Sequence, residues 1–435
     1  MASSSWLGQG MSPSTSLHDR ALWPVLFCLL CGTVLRLIWP ADMEWKGDEI
    51  WMWEHTQQIL TGAIPMPSVG MRTSLEVPNS VVGTWIFLAL ARISSTPVRL
   101  VQWIQVLNVV TLWGFLGFIL SQVRSPARQT WLWGLAIASV NPAAMLLARK
   151  LWLPDLIAPF CLLILIGHWF RSRFWGSALW GAAVMLCGQI HMGGFFVAFG
   201  LGVWTVWQDW SRRGERTHWL GYAIGTLLGA LPLIPWAFTV IPNLETYREF
   251  VDEHESLNLF PRFYLQWLTS ALGVNLSNAL WSKFWTDFLA EPRLWGFPTY
   301  LMVPAHGFLA GIGLYPAYRW WRNRRPRSLQ SLARSPIPTP QINFYCGALA
   351  WGAGGLFSLL RVNVHSHYLA VIFPFQYLWL AQLYRHRERL LWAIALTQLL
   401  ISATFLTFIH RTGGHPFGET DFGMTYWMQQ VMPKE

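Results

Sequence analysis

Asp48 and Glu49 stand side by side in EWKGDEIWMWEHT, residues 44–56, a stretch that also carries Glu44 and Glu54. Adjacent carboxylates suit a general base for a hydroxyl, or a site for a divalent cation such as Mg or Mn. They also suit a helix start, with Asp48 as N-cap and Glu49 in the first turn. The two uses are compatible, while Glu44 and Glu54 read as solvated. ARKLWLPDLIAPF, 148–160, adds Arg149, Lys150 and Asp155. These are either interface anchors, with an Arg–Asp pair closing a tight turn, or two phosphate-binding cations supported by Asp155. GQIHMGGFF, 188–196, adds His191, a structural or a binding histidine at a span end. RVNVHSHYLAVIFP, 361–374, adds Arg361, His365, His367 and Tyr368. Its His-x-His spacing is a weak metal signal without further ligands, and a phosphate or sugar contact is the better use.

The elements that must position these groups are apolar. The chain of 435 residues is 53% hydrophobic and 12% charged, with 30 Trp, 26 Phe and a mean hydropathy of +0.34, which sets it apart from soluble domains. Runs of about 20 uncharged residues are long enough to cross a bilayer, and a backbone in lipid must satisfy itself as helix. The sequence predicts an all-α polytopic membrane protein with about 11 transmembrane helices. The spans fall near 21–40, 98–121, 130–148, 155–170, 174–190, 192–209, 218–240, 299–318, 342–361, 367–384 and 390–410. Residues 21–40 read as a retained anchor after a polar tail, 1–20. All five cysteines, Cys28, Cys31, Cys161, Cys187 and Cys346, lie in apolar runs, so they read as packing residues.

Charge sets the expected topology. RSPAR (124–128), RSR (171–173), SRRGER (211–216), RWWRNRRPR (319–327) and RHRER (385–389), with Arg20 and Arg334, hold 17 of the 31 basic residues. These clusters mark the cytoplasmic side. They explain the sequence pI of about 9.7 without a nucleic-acid partner. Residues 41–97 and 241–298 then become two long outer loops, the first with two juxtamembrane helices, because the apolar run 81–91 is too short to span. Residues 322–341 read as a cytoplasmic linker between a front module, 21–240, and a back module, 299–410, followed by an outer tail, 411–435. Every polar stretch named above lands on the outer face, where one cavity would gather them.

The ordered pattern resembles the GT-C glycosyltransferases. It starts with an anchor and an outer loop opening on Asp-Glu, KGDEIWMWEHTQQILTG. NSVVGTWIFLALARI and STPVRLVQWIQVLNVVTLWGFLGFIL follow, then LLARKLWLPDL and a late HSHYLAVIFPFQYLWLAQL. It is most similar to the bacterial branch of protein O-mannosyltransferase-like and aminoarabinose-transferase-like proteins. The resemblance implies transfer of a sugar from a polyprenyl-phosphate donor to a lipid, glycan or protein acceptor on the extracytoplasmic face of the plasma (inner) membrane. Asp48 would be the base, with Glu49 supporting it or binding metal. Arg149 would match the basic residue near the second acid, Asp155, and His191 loosely the position that often carries Lys. The stretch HYLAVIFP would lie near the lipid phosphate. A transporter or flippase of envelope intermediates is the rival class, and it would place ionisable groups or broken helices near the midplane.

Overall fold

A computed structural model of the chain describes residues 22–73, 77–211, 216–245, 262–280, 282–322, 340–414 and 422–431. These residues are almost entirely helical. A two-residue hairpin, Arg293–Leu294 against Phe297–Pro298, is the one named sheet among them. The expected linker lies largely outside the described residues, as do the polar N-terminal tail and the acidic start of the second outer loop.

Each expected span coincides with helical structure, but most of them are short or broken. Pro97–Gln122 and Glu388–Thr412 are long and apolar enough to cross a membrane alone; the pair Trp219–Ala230 and Leu233–Asn243, bent by 58°, makes up to three. Some of the remaining segments, such as Leu22–Leu37 and Phe174–Ile190, are continuous but shorter, and others are interrupted. Pro142 restarts the helix after Ala127–Val140, a 3-10 turn at Leu153–Leu156 precedes Ile157–Trp169, and a π-helical turn at Ala348–Ala353 divides Pro340–Gly347 from Gly354–Leu359. Helices stand at both places expected within 41–97, Gly47–Leu60 and Val82–Ala91.

Ala127–Val140 is the hub. It packs on Leu22–Leu37 and Pro97–Gln122 from the front of the chain, and on Phe375–Leu383 and Glu388–Thr412 from the back, so the two expected modules share one core. Small residues permit the closest approaches. Gly221, Gly225 and Gly229 recur every four residues and lie against the backbone of Phe174–Ile190. A Cβ at Gly225 would stand 1.9 Å from the Ala178 carbonyl oxygen, so any larger residue separates these helices.

Two arginines lock the core from inside. Arg36, in the last turn of Leu22–Leu37, donates from Nη1 to the Ser139 carbonyl at 2.6 Å and from Nη2 to that of Ala138, capping the hub helix. Arg149 returns the favour to Leu22–Leu37. Its Nη1 donates to Leu35 and Arg36 carbonyls at 2.6 and 3.0 Å, and its Nη2 to Ile38 and Trp39 carbonyls at 2.7 and 2.9 Å. Cations complement the partial negative charge and the unpaired carbonyls of helix C-termini. Trp39, whose carbonyl Arg149 holds, sits in the left-handed region at φ 49°.

The C-terminal segment is stitched to the start of the first expected outer loop. Trp45 N–H donates to the Met424 carbonyl at 3.2 Å, Tyr426 N–H donates to that of Met43 at 3.0 Å, and Glu44 bridges Thr425 antiparallel. Gln429 Nε2 adds a 2.5 Å bond to the Trp45 carbonyl. At the same level, His410 Nδ1 lies 2.7 Å from Asp42 Oδ2, and its ring stacks on Trp39 at 4.0 Å.

Candidate functional site

A cavity of about 1020 Å³ opens where the chain leaves the first helix. Helix Gly47–Leu60 supplies Asp48 and Glu49, and the residues just before it supply Glu44 and Lys46. The connection after Pro142–Leu146 supplies Lys150 and Trp152. The stretch before the 3-10 helix Ser366–Ile372 supplies His365, and that helix supplies His367. Arg262 and Phe422 complete the polar and aromatic lining. A narrow apolar cleft adjoins this space, sharing Ala143, Leu147 and Ser366 with it and continuing along Leu112, Phe373 and Tyr377.

Asp48 is exposed in this cavity. Its Oδ2 accepts the indole Nε1–H of Trp152 at 2.8 Å, which fixes the carboxylate between two elements distant in sequence. The N-cap is Lys46 and no side chain caps this end, so the expected N-cap role of Asp48 is corrected: both Asp48 and Glu49 occupy the first turn. A carboxylate there is stabilised by the helix dipole yet keeps its oxygens available. Glu49 lines the inner wall and is 4% exposed. Burial pushes its carboxyl up to about 8; its own backbone amide opposes the shift, and the charges of Asp48 and Asp155 add to it.

Arg149 and Lys150 are neighbours in sequence with opposite uses. Arg149 is 4% exposed and spends both terminal nitrogens on helix carbonyls, so its expected phosphate contact is corrected to a helix cap. Lys150 lines the cavity, pairs with Glu44, and places Nζ 5.4 Å from the Trp152 ring centre. Asp155 is fully buried and accepts the Lys150 backbone N–H on Oδ2 at 2.7 Å, while Asn108 Nδ2 holds the Asp155 carbonyl at 2.8 Å. Asp155 does close the tight turn, but through backbone, and it thereby aims Lys150 into the cavity.

The histidines form a ring stack along one wall. His365 and His367 lie 5.7 Å apart and nearly parallel, and Trp152 meets His367 at 4.6 Å. His191 and Tyr368 stand behind His367, their rings 4.9 Å apart, and neither lines the cavity. Burial lowers His365, with the Arg262 charge adding to the effect, and burial lowers His191 to about 4, its own backbone opposing. Both are therefore neutral hydrogen-bonding groups near pH 7. Arg361 is exposed at φ 54° and absent from the lining; Arg262 takes the arginine position, beside Asn363. Among the described residues no three His, Cys, Asp or Glu side chains stand together to hold a metal ion, so Asp48 and Glu49 lack a third partner for the divalent cation considered above.

The cavity thus gathers Asp48, Glu49, Lys150, His365 and His367. Sequence reading missed Trp152, Arg262 and Phe422, and it misread Glu44. Glu44 is 3% exposed and ion-paired to Lys46 and Lys150, so its expected solvation is corrected. No signal in the sequence marked it, because its partner Lys150 lies 106 residues away. No protein-family model matches this chain, and no curated protein and no solved structure matches it.

Proposed function

We propose that the protein is a membrane glycosyltransferase that moves a sugar from a polyprenyl-phosphate donor to a hydroxyl acceptor at the extracytoplasmic surface. In this reading the helical segments make about eleven crossings, some of them broken, and the cavity lies at the outer lipid–water boundary. The observation that carries the reading is the Asp48 carboxylate, held by the Trp152 indole in a cavity whose wall also bears Lys150 and Lys46. Asp48 takes the proton of the acceptor hydroxyl. The acceptor oxygen bonds to the anomeric carbon, and the bond from that carbon to the phosphate oxygen breaks. The electron pair leaves with the phosphate, whose charge the lysines and Arg262 stabilise. A single displacement inverts the anomeric centre. The adjoining apolar cleft suits the first isoprene units of the donor.

The test compares envelope glycolipids and glycoproteins by mass analysis in cells carrying wild-type protein, no protein, Asp48→Asn or Glu54→Asn. Glu54 is exposed and outside the cavity lining, which makes it the control. A glycan that disappears with the deletion and with Asp48→Asn, but persists with Glu54→Asn, supports the reading. Persistence in folded Asp48→Asn removes Asp48 from catalysis. The 58° break after Ala230 favours transport as the second reading, since broken helices serve transporters. None of the flanking residues lines the polar cavity, and an Asp48→Asn protein that still moves the lipid intermediate without transferring sugar would separate the two.

A further inference from the structure

One carboxylate answers two lysines on the cavity wall. Glu44 Oε1 lies 2.8 Å from Lys46 Nζ, and Oε2 pairs with Lys150 Nζ. Its side chain is 4% exposed, and its backbone is fixed separately by the bridge to Thr425. Lys46 comes from the start of helix Gly47–Leu60 and Lys150 from the connection after Leu146, so the pair of ammonium groups forms only in the folded chain. Lys150 is further enclosed by the rings of Trp152 and Phe422, at 5.4 and 5.7 Å. Two ammonium groups held against one carboxylate, that of Lys150 largely buried and that of Lys46 partly exposed, repel each other and are stabilised by an anion between them. Arg149 offers no alternative cation here, being committed to carbonyls.

We propose that Glu44 is a resident counterion for an anion site made by Lys46 and Lys150, and that a phosphate monoester takes its place on binding. On the reading of the cavity given above, the monoester is the lipid phosphate left when the sugar departs, the donor itself being a diester. A carboxylate offers two oxygens to two ammonium groups; a phosphate offers the same two and a third, with more charge. The exchange replaces one ion pair by another and leaves the displaced carboxylate in an open cavity. Glu44 thereby offsets part of the positive charge of the empty site and helps to keep it folded. It also weakens every anion equally, so that ligands with little charge gain nothing by entering.

The experiment uses the full-length protein in detergent, with inorganic phosphate and decyl phosphate as probes, read by titration calorimetry and thermal unfolding. Glu44→Gln is expected to unfold at lower temperature than wild type when empty. It is expected to bind decyl phosphate at least about tenfold more tightly than wild type, and to recover its midpoint when the probe is added, because a ligand of the folded state stabilises it. Inorganic phosphate should gain by a similar factor and remain the weaker probe; equal affinity of the two would assign the site to soluble phosphates. Adding Lys150→Met to Glu44→Gln should abolish the recovery. Folded Glu44→Gln that binds neither probe more tightly overturns the proposal, as does a gain that survives Lys150→Met. If Glu44→Gln does not fold, Glu44→Asp keeps the charge but shortens its reach. It should bind decyl phosphate several-fold more tightly, and unchanged affinity overturns the proposal. Sugar transfer takes no part in these measurements, so their failure is separate from failure of the Asp48 test.

Discussion

Trp152 Nε1–H donates to Asp48 Oδ2 at 2.8 Å, and the two residues are 104 positions apart. This bond ties the start of helix Gly47–Leu60 to the turn that Asp155 closes. It orients Asp48, the exposed carboxylate among the described acids of the cavity wall. Trp152→Phe keeps the ring and removes the donor. Transfer should fall tenfold or more, the worth of one charge-assisted hydrogen bond, about 1.5–3 kcal/mol. The thermal midpoint should stay near wild type. Labelled-sugar transfer in membranes carrying equal amounts of folded protein decides; an unchanged rate would leave the indole only a packing role.

Asp48→Asn should reduce the same transfer by roughly 10²–10⁴-fold, the range for loss of a general base. Since no side-chain cap bond is made by Asp48, folding should be unaffected. Unfolding temperature and transfer rate measured on one preparation would reveal a purely structural defect as a loss of both.

Arg149→Met and Lys150→Met should differ sharply. The first leaves four carbonyls without their guanidinium and should destabilise the protein by at least about 3 kcal/mol, with little folded material recovered. Arg149→Lys should not rescue it, because one ammonium cannot span both carbonyl pairs. Lys150→Met should fold and lose transfer. Equal folded yields of the two variants, judged by size-exclusion profile, would contradict the cap assignment.

The adjacency of those two residues shows where sequence reading stops. The apolar runs made the helical segments legible, since lipid and core both demand a self-satisfied backbone. Charge clusters then sorted the connections and brought Asp48, Lys150, His365 and His367 into one neighbourhood. Rotation about a short turn is not written in composition, so Arg149 and Lys150 looked alike although one points to the first helix and the other into the cavity. Glu44 looked solvated because its ion partner is remote. Arg361 looked like a site residue because it opens a polar stretch, but the end of its helix turns it outward. The breaks at Asn141, Leu231 and Ala348 escaped notice because hydropathy averages over them.

Glu49 gives a pH dependence. Its ordinary value is 4.5, and in the folded chain it is pushed up to about 8. Between these values the folded state holds more protons than the unfolded one, so the stability linked to this group is full below about 4.5 and is lost as pH rises through 8. Glu49→Gln should flatten that limb of the midpoint-versus-pH curve. An unaltered slope in the variant would show that another group titrates there.

The proposed orientation is checked with single cysteines. Met66, 54% exposed, lies in the first expected outer loop, and His386 is exposed in a basic connection. An impermeant thiol reagent should label Met66→Cys in intact cells and His386→Cys only after permeabilisation. The reverse pattern would turn the molecule over.

The stitch between Met43–Trp45 and Met424–Tyr426 closes the intervening chain into one noncovalently fastened loop. The hub helix is likewise shared between front and back segments. Front and back segments expressed as two polypeptides should therefore find each other and copurify. Removing Met424–Val431 would loosen the cavity from a segment remote from it in sequence.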